Sequence, residues 1–482
     1  LKPFKLKQSR GAPRSPWAGA RPMAPTARLR ASARDPEEGA APQPASARAA
    51  GLRLQGHAWW AAWKGLGLLG FCGAVAATVR LWPLLRRWPG TLQAAAGPLH
   101  FAWVTDCSDY QEWQSLVLLW TIYHWQGRGT PVTRLISGCD EAQRAVRRRV
   151  HSLLFAGGPD QVPPHLFFTP EHSRNEELND TYPPYNRPHS MLLWAQGGSL
   201  HPDTWVVLLD PDMVMVGPLV LPVAGQVPEV LYRSTRPLGE ALGLPAVGQR
   251  YKYMATRWAG AGLRLAEVCE AWAEGCLSLD GAEVAEHFSV GPPWVFRFGD
   301  LQRAAPLWHA YVPRIRRQYR QLIAEMYAYS LAFASIGVRH ALFDHFVVSY
   351  PNAPADEQAW AWVDRATVEE DPCAAGRLPQ RARRPAFLHY CEIYYVEDWY
   401  FRKRQVPHEQ VLSCEAPLFA EPPHDLLQSR RALSAARQDN SDWALHTERH
   451  AWFMCVVLAA INEAVLALRG PLCPEGFNTT KS

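Results

Sequence analysis

The sequence lacks the patterns that mark several common classes of binding protein. Its ten cysteines form no CxxC pair and no CxxC followed by HxxxH, which argues against a zinc site. It contains no internal repeat, and GxGxxG, the fingerprint of a dinucleotide-binding domain, does not follow any of its predicted strands. Apolar residues nevertheless make up 48% and charged residues 20% of the 482 positions. A wholly disordered chain is therefore excluded, and a sizeable buried core is expected.

The chain also lacks an excess of positive charge beyond residue 56. Residues 1–56 hold 11 basic and 3 acidic side chains, a balance of +8. The remaining chain has 39 basic and 42 acidic side chains, a balance of −3. A nucleic-acid-binding protein carries its basic patch on the folded part. We therefore expect no nucleic-acid partner.

The N-terminal part divides into three segments. Residues 1–56 are rich in Ala, Pro, Arg and Ser without periodicity, which predicts a disordered basic tail. Residues 57–85 contain an uncharged run of fifteen residues, Gly65–Val79, with tryptophans on both sides. This pattern is typical of a short transmembrane anchor or of a signal segment cleaved near Ala76, and both interpretations stay open. Residues 86–97 have the character of a stem.

Both interpretations place the rest of the chain in the secretory lumen. Nine of the ten cysteines lie beyond Cys72, inside that lumenal part. Because the secretory lumen is oxidising, we expect several of them to form disulfides. The spacing does not predict their pairing.

Strands and helices alternate after residue 98. Three apolar runs of strand length are separated by two segments with helical spacing, and Gly127 follows the first of these. The strands are HFAWVTD (100–106), VTRLISG (132–138) and HLFFTP (165–170), and the helices are YQEWQSLVLLWTIYHW (110–125) and DEAQRAVRRRVHSLL (140–154). This alternation predicts an α/β fold with a mostly parallel central sheet. Such sheets bind ligands beyond the carboxyl ends of their strands.

The sharpest local pattern is TWVVLLDPDMVMV, residues 204–216. An apolar run of strand length ends in Asp210-Pro211-Asp212, and a second apolar run follows. Bare carboxylates at the end of a buried strand are costly, and a hard divalent cation, Mn²⁺ or Mg²⁺, compensates such a pair. The alternative is a plain turn between two strands, because a D-x-D triplet arises by chance about once in a chain of this composition.

Several segments resemble one family of enzymes, in the order in which that family has them. They cover most of residues 98–425, and the similarity is looser over 461–474. The segments are VTDCSDYQEWQSL (104–116), TRLISG (133–138), YNRPHSMLLW (185–194), DTWVVLLDPDMVMVGP (203–218), AEMYAYSLAFASIGVRH (324–340), FLHYCEIYYVEDWYFRK (387–403) and CEAPLFAEPP (414–423). They resemble the plant and algal peptidyl serine α-galactosyltransferases and, less closely, the hydroxyproline O-arabinosyltransferases.

The resemblance implies a GT-A-type nucleotide-sugar-binding fold. The glycosyltransferase domain would occupy residues 98–425, followed by a C-terminal helical extension over 426–482. It also implies a UDP-sugar donor, a Mn²⁺ or Mg²⁺ ion, and a Golgi or endoplasmic reticulum membrane location with the catalytic domain in the lumen.

Three functions are compatible with this resemblance. The first is the metal-dependent, retaining transfer of a sugar from a UDP-sugar to serine of hydroxyproline-rich glycoproteins, with galactose as the favoured sugar. The second is arabinosyl transfer to hydroxyproline. A function of another class is carbohydrate binding without catalysis on a glycosyltransferase scaffold. Retention implies either a covalent intermediate or attack on the same face assisted by the leaving phosphate, and we favour the latter.

The resemblance assigns the metal ligands. Asp210 and Asp212 would hold the ion, and His389 in LHYC would complete the coordination, although a lone His more often serves as a structural hydrogen-bonding residue. The galactosyl branch has HYG where this chain has His389-Tyr390-Cys391. Because glycine permits a closer backbone approach than cysteine, the third-ligand loop is expected to differ.

Donor-binding residues follow in the same way. Lys403 in WYFRK would lie against the diphosphate, or it belongs to an exposed basic turn. Arg187 in YNRP would meet a phosphate or cap a helix, and Asn186 would bind the ribose or stabilise the turn before Pro188.

Four further residues complete the predicted site. Thr105, Asp106 and Arg134 are placed at the ends of the first two predicted strands, where a uridine would lie, although Asp106 could instead cap the following helix. Glu325 is the candidate catalytic carboxylate, which would position the acceptor hydroxyl or stabilise positive charge on the sugar. The alternative for Glu325 is a solvated acid on a helix.

Two regions fall outside this comparison. Residues 225–290 match the family poorly, so any acceptor specificity that lies in them is not carried over from it. The apolar stretch 451–468 contains Asn462 and Glu463, which predicts a packed amphipathic helix instead of a second membrane span.

Overall fold

The structure is a computed structural model of the chain. Contacts divide it into two units, Leu1–Arg80 and Leu81–Ser482, and every residue described below lies in the second. The predicted tail, anchor or signal segment and stem, residues 1–56, 57–85 and 86–97, lie outside the described residues. Those described are 99–155, 161–198, 200–219, 221, 245–344, 346–351, 360, 385–423 and 442–481.

The N-terminal half of the described residues alternates strands and helices as predicted. The apolar runs become strands and the segments with 3.6-residue spacing become helices. The elements are β1 (His100–Asp106), α1 (Asp109–Gln126), β2 (Val132–Ser137), α2 (Glu141–Phe155), β3 (His165–Thr169), β4 (Arg174–Asn175), β5 (Asp180–Thr181), α3 (Asn186–Gln196), β6 (Trp205–Leu209) and β7 (Met213–Met215).

The C-terminal half adds two long helices and several short elements. Three short helices between residues 265 and 283 fall in the stretch that matched the family poorly. The elements are β8 (Ala246–Arg250), α4 (Lys252–Ala261), α5 (Leu265–Val268), α6 (Glu274–Leu277), α7 (Gly281–Glu283), β9 (Val290–Arg297), α8 (Phe298–Gln318), α9 (Ala324–Ser335), β10 (His340–Phe343), β11 (Val347–Val348), β12 (Phe387–His389), β13 (Ile393–Val396), β14 (Trp399–Arg402), α10 (His408–Leu412) and α11 (Asp442–Leu472).

A seven-stranded sheet lies at the centre, in the order β10-β8-β9-β6-β1-β2-β3. Strands β6, β1, β2 and β3 are parallel neighbours, and so are β10 and β8. Strand β9 runs antiparallel to both β6 and β8. The predicted α/β class with a mostly parallel sheet is therefore confirmed. Because β1 and β6 are parallel, the residues that follow them meet at one edge of the sheet.

A second sheet of three strands, β11-β12-β7, lies beside the first. Strand β12 pairs antiparallel with β7, and this register places His389 opposite Met213. The Tyr390 backbone N–H also donates to the Asp212 carbonyl at 3.0 Å. This pairing connects two segments that are 177 residues apart in the chain.

Aromatic residues fill the interior of the described part. Six tryptophans have fully buried rings. They are Trp103, Trp113, Trp194, Trp294, Trp308 and Trp360.

Disulfides form, as the cysteine distribution predicted. Cys107 pairs with Cys139, Cys269 with Cys276, and Cys414 with Cys473. The first bond joins the loops that follow β1 and β2, at the edge of the sheet where ligands are expected. Cys391 is free.

Helix α11 is helical, as predicted for the C-terminal part, and packs against α1, α2 and β13. Residues Thr447–Leu472 are long and apolar enough to cross a membrane, but most of them are buried inside the protein. The predicted amphipathic character is wrong, because residues 451–462 are buried on every side. The buried Asn462 amide accepts from the Phe419 N–H and donates to the Phe419 carbonyl, each at 2.9 Å, which satisfies its polar atoms.

Candidate active site

The two aspartates lie where the sequence placed them. Asp210 follows the last residue of β6, and Asp212 immediately precedes β7. Strand β6 is buried from Val206 to Leu209, so the chain leaves the core at Asp210. The short connection between β6 and β7 also makes the turn that was the alternative interpretation, and the turn carries both carboxylates at the carboxyl edge of the sheet.

His389 completes a compact group of possible metal ligands. Its Nε2 lies 3.1 Å from Asp212 Oδ1 and 3.8 Å from Asp210 Oδ2. One ligand atom from each of the three residues lies within 4.8 Å of the others. Two carboxylates and one imidazole are a suitable donor set for Mn²⁺ or Mg²⁺. The residues present therefore fit the ion that the sequence predicted.

Two cations hold these carboxylates. Lys403 Nζ pairs with Asp212 Oδ2. The Arg187 guanidinium pairs with Asp210 Oδ1 and lies 3.3 Å from Glu325 Oε2. The structure thus brings six of the predicted site residues into one continuous network, which are Arg187, Asp210, Asp212, Glu325, His389 and Lys403.

These ion pairs shift the pKa values of residues in the network. Burial alone disfavours the ionised form of Asp212, but Lys403 and His389 outweigh it and hold the pKa of Asp212 well below its usual range. Burial likewise opposes the charge on Lys403, yet Asp212 raises its pKa. The same balance between burial and Asp210 with Glu325 raises the pKa of Arg187. Both cations are therefore charged at neutral pH.

Lys403 is not part of an exposed basic turn. It opens a short 3₁₀ helix, Lys403–Gln405, directly after β14. Its side chain is only 12% exposed, whereas the neighbouring Arg402 and Arg404 are exposed. The chain therefore separates the three cations of RKR, and Lys403 is the one that meets the aspartates.

Glu325 is buried, so the alternative of a solvated acid is wrong. It lies in the first turn of α9 with 3% of its surface exposed, and its Oε1 is a buried oxygen without a hydrogen-bond partner. Burial raises the pKa of Glu325 to about 7, because the opposing effect of Arg187 is smaller, and nearby Asp210 adds to the rise. This carboxyl group is poised to exchange a proton near neutral pH.

The raised pKa of Glu325 predicts a pH-dependent stability. The folded protein favours the protonated form, so this stabilisation is complete below the unfolded pKa of about 4.5 and is lost as the pH rises through about 7. Relative to Glu325→Gln, the free energy of unfolding of the native protein should fall by about 3 kcal/mol between pH 4 and pH 8. Denaturant unfolding at several pH values measures this difference. The exposed Glu176→Gln is the matched control, and parallel pH curves for native protein and Glu325→Gln would refute the shift.

The predicted position of Arg134 is wrong. It is the third residue of β2, not the last, and is fully buried. Its guanidinium pairs with Glu112 of α1 at 2.5 Å and contacts His151 of α2 at 3.2 Å. Glu112 compensates the charge of Arg134 inside the protein, where an unpaired guanidinium would be costly. Arg134 therefore does not lie at the edge of the sheet where the donor was predicted to bind.

Thr105 and Asp106 are engaged in local structure. The Thr105 hydroxyl accepts from Arg134 Nε and Nη2 at 3.2 Å, inside the protein. Asp106 accepts from the Ser108 N–H at 2.9 Å, and Ser108 is the N-cap of α1. The alternative role of Asp106 as the helix cap is therefore wrong, because Ser108 fills that position, and contact with uridine stays a prediction for both residues.

Asn186 is buried at the start of α3. Its Oδ1 accepts the His172 backbone N–H at 2.7 Å. The amide oxygen therefore stabilises the loop that follows β3, whereas the alternative placed this role at the turn before Pro188. The predicted contact with a ribose would therefore be made by the amide nitrogen of Asn186.

Tyr182 was missed by the sequence analysis. Its hydroxyl donates to the Leu322 carbonyl and accepts the Glu325 backbone N–H at 3.1 Å. Trp308 Nε1 donates to the Glu325 carbonyl at 3.1 Å. These contacts fix the first turn of α9 and hence Glu325. No signal in the sequence points to Tyr182, because it lies 143 residues before its partner.

Comparisons with known proteins find similar chains among curated proteins and among solved structures. No family model matches the chain. A peptidyl serine α-galactosyltransferase of Arabidopsis thaliana is 25% identical over 347 residues, 69% of this chain and 35% of that protein. A protein of the same name from Chlamydomonas reinhardtii is 24% identical over 156 residues, 32% of this chain and 17% of that protein.

The chain resembles the peptidyl serine α-galactosyltransferases. The similarity expected from the sequence motifs is thus confirmed, and both relatives are glycosyltransferases by name, the predicted class of enzyme. The chain spans about a third or less of the length of these relatives.

Two solved structures were also found similar to this chain. The bifunctional glycosyltransferase WbbM matches 61% of this chain and 46% of its own, with 12% identity and a TM-score of 0.34. The galactosyltransferase LgtC, in complex with donor and acceptor sugar analogs, matches 64% of this chain and 93% of its own, with 11% identity and a TM-score of 0.32. Scores of this size decide nothing about the site.

Proposed function

We propose that the protein is a metal-dependent, retaining glycosyltransferase with a GT-A-type fold. It transfers a sugar from a UDP-sugar to serine of hydroxyproline-rich glycoproteins, and galactose is the favoured sugar. The observation that carries the proposal is the convergence of Asp210, Asp212 and His389 with two internal cations at the carboxyl edge of the sheet. The names of the relatives supply the donor sugar and the acceptor residue.

Asp210, Asp212 and His389 would hold a Mn²⁺ or Mg²⁺ ion. The bound ion acts as a Lewis acid that neutralises charge on the departing diphosphate. In this structure Lys403 pairs with Asp212, and Arg187 pairs with Asp210. Binding of the donor therefore requires the two cations to move from the carboxylates to the phosphates.

Lys403 and Arg187 bind and orient the diphosphate once they leave the aspartates. Both are charged at neutral pH and both lie within ion-pair distance of the metal-ligand residues. The Arg187 guanidinium rests 5.2 Å above the Trp294 ring, which limits its motion and preserves its direction. Both positive charges are thus held beside the metal-ligand residues, a short side-chain movement away from the diphosphate.

Glu325 serves the acceptor side. The Arg187 guanidinium contacts both Glu325 and Asp210. The carboxyl group of Glu325 is therefore separated from the predicted metal ligand Asp210 by a single side chain. It positions the serine hydroxyl or stabilises positive charge on the sugar. In same-face transfer the bond from the anomeric carbon to phosphate breaks, the bond to serine Oγ forms, and the serine proton passes to the leaving phosphate.

A Golgi or endoplasmic reticulum location follows from this function. Its acceptors are secreted glycoproteins, and the disulfides of the described residues fit an oxidising compartment. We assign the membrane attachment to residues 57–85, since the apolar helix α11 is used for packing.

Turnover of donor sugars tests the proposed function. The purified full chain is incubated with a panel of UDP-sugars and with Ser-Hyp-rich or Hyp-only peptides, with Mn²⁺ or with EDTA. We expect metal-stimulated release of UDP with UDP-galactose, and an α-linked galactose on serine. Transfer of arabinose to the Hyp-only peptide would replace the acceptor assignment by the related activity.

Binding without turnover would decide for the other class of function. Cys391 is the departure from the family pattern that favours this outcome. Its thiol is half-buried, and burial raises its pKa. If no UDP-sugar is turned over with or without metal while glycan binding is measurable, the protein is a carbohydrate-binding protein on this scaffold.

A further inference from the structure

Three histidines form a second cluster of possible metal ligands. His172 lies in the loop after β3, His189 on α3 and His309 on α8. One ligand nitrogen from each lies within 4.8 Å of the others. None of the three belongs to the predicted donor site, and they are 17 and 120 residues apart in the chain.

The spacing of the nitrogens suits a tetrahedral metal ion. His309 Nε2 lies 3.2 Å from His172 Nε2 and 3.4 Å from His189 Nδ1. Zn–N bonds of about 2.0–2.1 Å in tetrahedral geometry place ligand nitrogens about 3.3–3.4 Å apart. The distances to His309 are therefore those of ligands that share one ion.

The chemistry of the cluster differs from that of the aspartate site. Three imidazoles without a carboxylate favour borderline transition metals over Mn²⁺ or Mg²⁺. Burial, with the neighbouring histidines, lowers the pKa of His309 to about 4, and burial lowers the pKa of His172 and His189. Neutral imidazole, the form that binds a metal, is therefore available at pH 7.

The surroundings leave room for a fourth ligand. All three histidines are partly exposed, so water can reach the cluster. The Asn186 side chain holds the His172 backbone, which fixes the loop against α3. The rings of His172 and His189 stack at 4.2 Å, and they would have to tilt apart on binding because a metal lies in the plane of each ligand ring.

We propose that His172, His189 and His309 form a second metal site, which takes Zn²⁺ or a similar transition-metal dication with water as the fourth ligand. The ion joins the loop after β3, α3 and α8. Sequence spacing argued against a zinc site because it tests for ligands close in the chain, whereas these converge only in the fold. The site is independent of the proposed glycosyltransferase function.

Cobalt binding to the full chain tests this site. The double variant Asp210→Asn/Asp212→Asn removes the carboxylates of the first site, so the histidine cluster is the one group of three possible ligands left among the described residues. We expect one equivalent of Co²⁺ to bind with the intense visible absorption of tetrahedral coordination, and Zn²⁺ to displace it. In this background, His309→Gln and His172→Asn should each weaken Co²⁺ binding at least about tenfold, as the loss of one ligand of three.

Matched controls separate a ligand role from a folding role. His201→Asn changes an exposed histidine outside the cluster and should leave Co²⁺ affinity unchanged. Zn²⁺ should also raise the melting temperature of the double variant but not of its His172→Asn derivative. His172 lies in a partly exposed loop, so its variant remains informative if His309→Gln does not fold. Absence of Co²⁺ binding, or equal affinity in the cluster variants and the control, overturns the proposal.

Discussion

Replacing Asp212 by Asn is expected to lower metal-dependent sugar transfer by about 10³-fold or more, on the scale of losing a preorganised charge in an active site. Asp212 contacts both His389 and Lys403, so it links the predicted ligand group to the predicted diphosphate contact. Asparagine keeps the shape but removes the negative charge on which both contacts depend.

The measurement is kcat with a UDP-sugar over a range of Mn²⁺ concentrations. Part of any loss would be structural, because Lys403 is left without its anion in a largely buried place. We therefore expect the melting temperature to fall by a few degrees, and rates are to be compared well below it. The control Asp203→Asn changes an acid that is 81% exposed just before β6. It should retain full activity and stability.

Two results would contradict the assignment. Full activity of Asp212→Asn would show that the carboxylate holds no essential ion. An equal loss in Asp203→Asn would trace the effect to the connection before β6 and not to the metal group. A loss confined to Asp212→Asn that high Mn²⁺ partly restores would instead support weakened metal binding.

The sequence predicted the part of the site that depends on local pattern. Apolar runs followed by polar residues located β1, β2 and β6, and a buried strand that ends in acids located Asp210 and Asp212. Parallel pairing of β1 and β6 then follows from the alternation with helices. These features depend on neighbours in the chain, which a sequence shows directly.

Contacts between distant segments escaped the sequence argument. Arg134 looked like a residue near a strand end, but its depth depends on Glu112, and that pairing is fixed only when α1 packs on the sheet. The depth of Glu325 depends on Tyr182 and Trp308. Burial and partner choice are tertiary properties, so residue type and spacing left both positions open.

The resemblance to a family supplied what spacing did not. His389 and Lys403 come from a segment far beyond the aspartates, and no local pattern links them to Asp212. The antiparallel pairing of β12 with β7 provides the physical link. The three histidines of the second cluster also converge only in the fold, but no sequence motif or family resemblance predicted them.

Replacing Lys403 by Met should lower kcat/KM for the UDP-sugar and raise the affinity of the protein for Mn²⁺. Without its ammonium the diphosphate loses a direct contact, so kcat/KM for the UDP-sugar should fall by about 10²–10³-fold. Yet the ammonium also occupies Asp212 Oδ2, where it competes with an incoming ion. Mn²⁺ affinity in the absence of nucleotide should therefore rise in Lys403→Met.

Arg404→Met is the matched control for this prediction, since Arg404 is the exposed cation next in the chain and contacts the Tyr110 ring instead. Steady-state kinetics gives kcat/KM, and calorimetric titration gives the Mn²⁺ affinity. If the two variants behave alike, Lys403 acts only as surface charge, and the proposed transfer of this cation from carboxylate to phosphate is wrong. Weaker Mn²⁺ binding in Lys403→Met would show that the lysine organises the aspartates and does not compete for them.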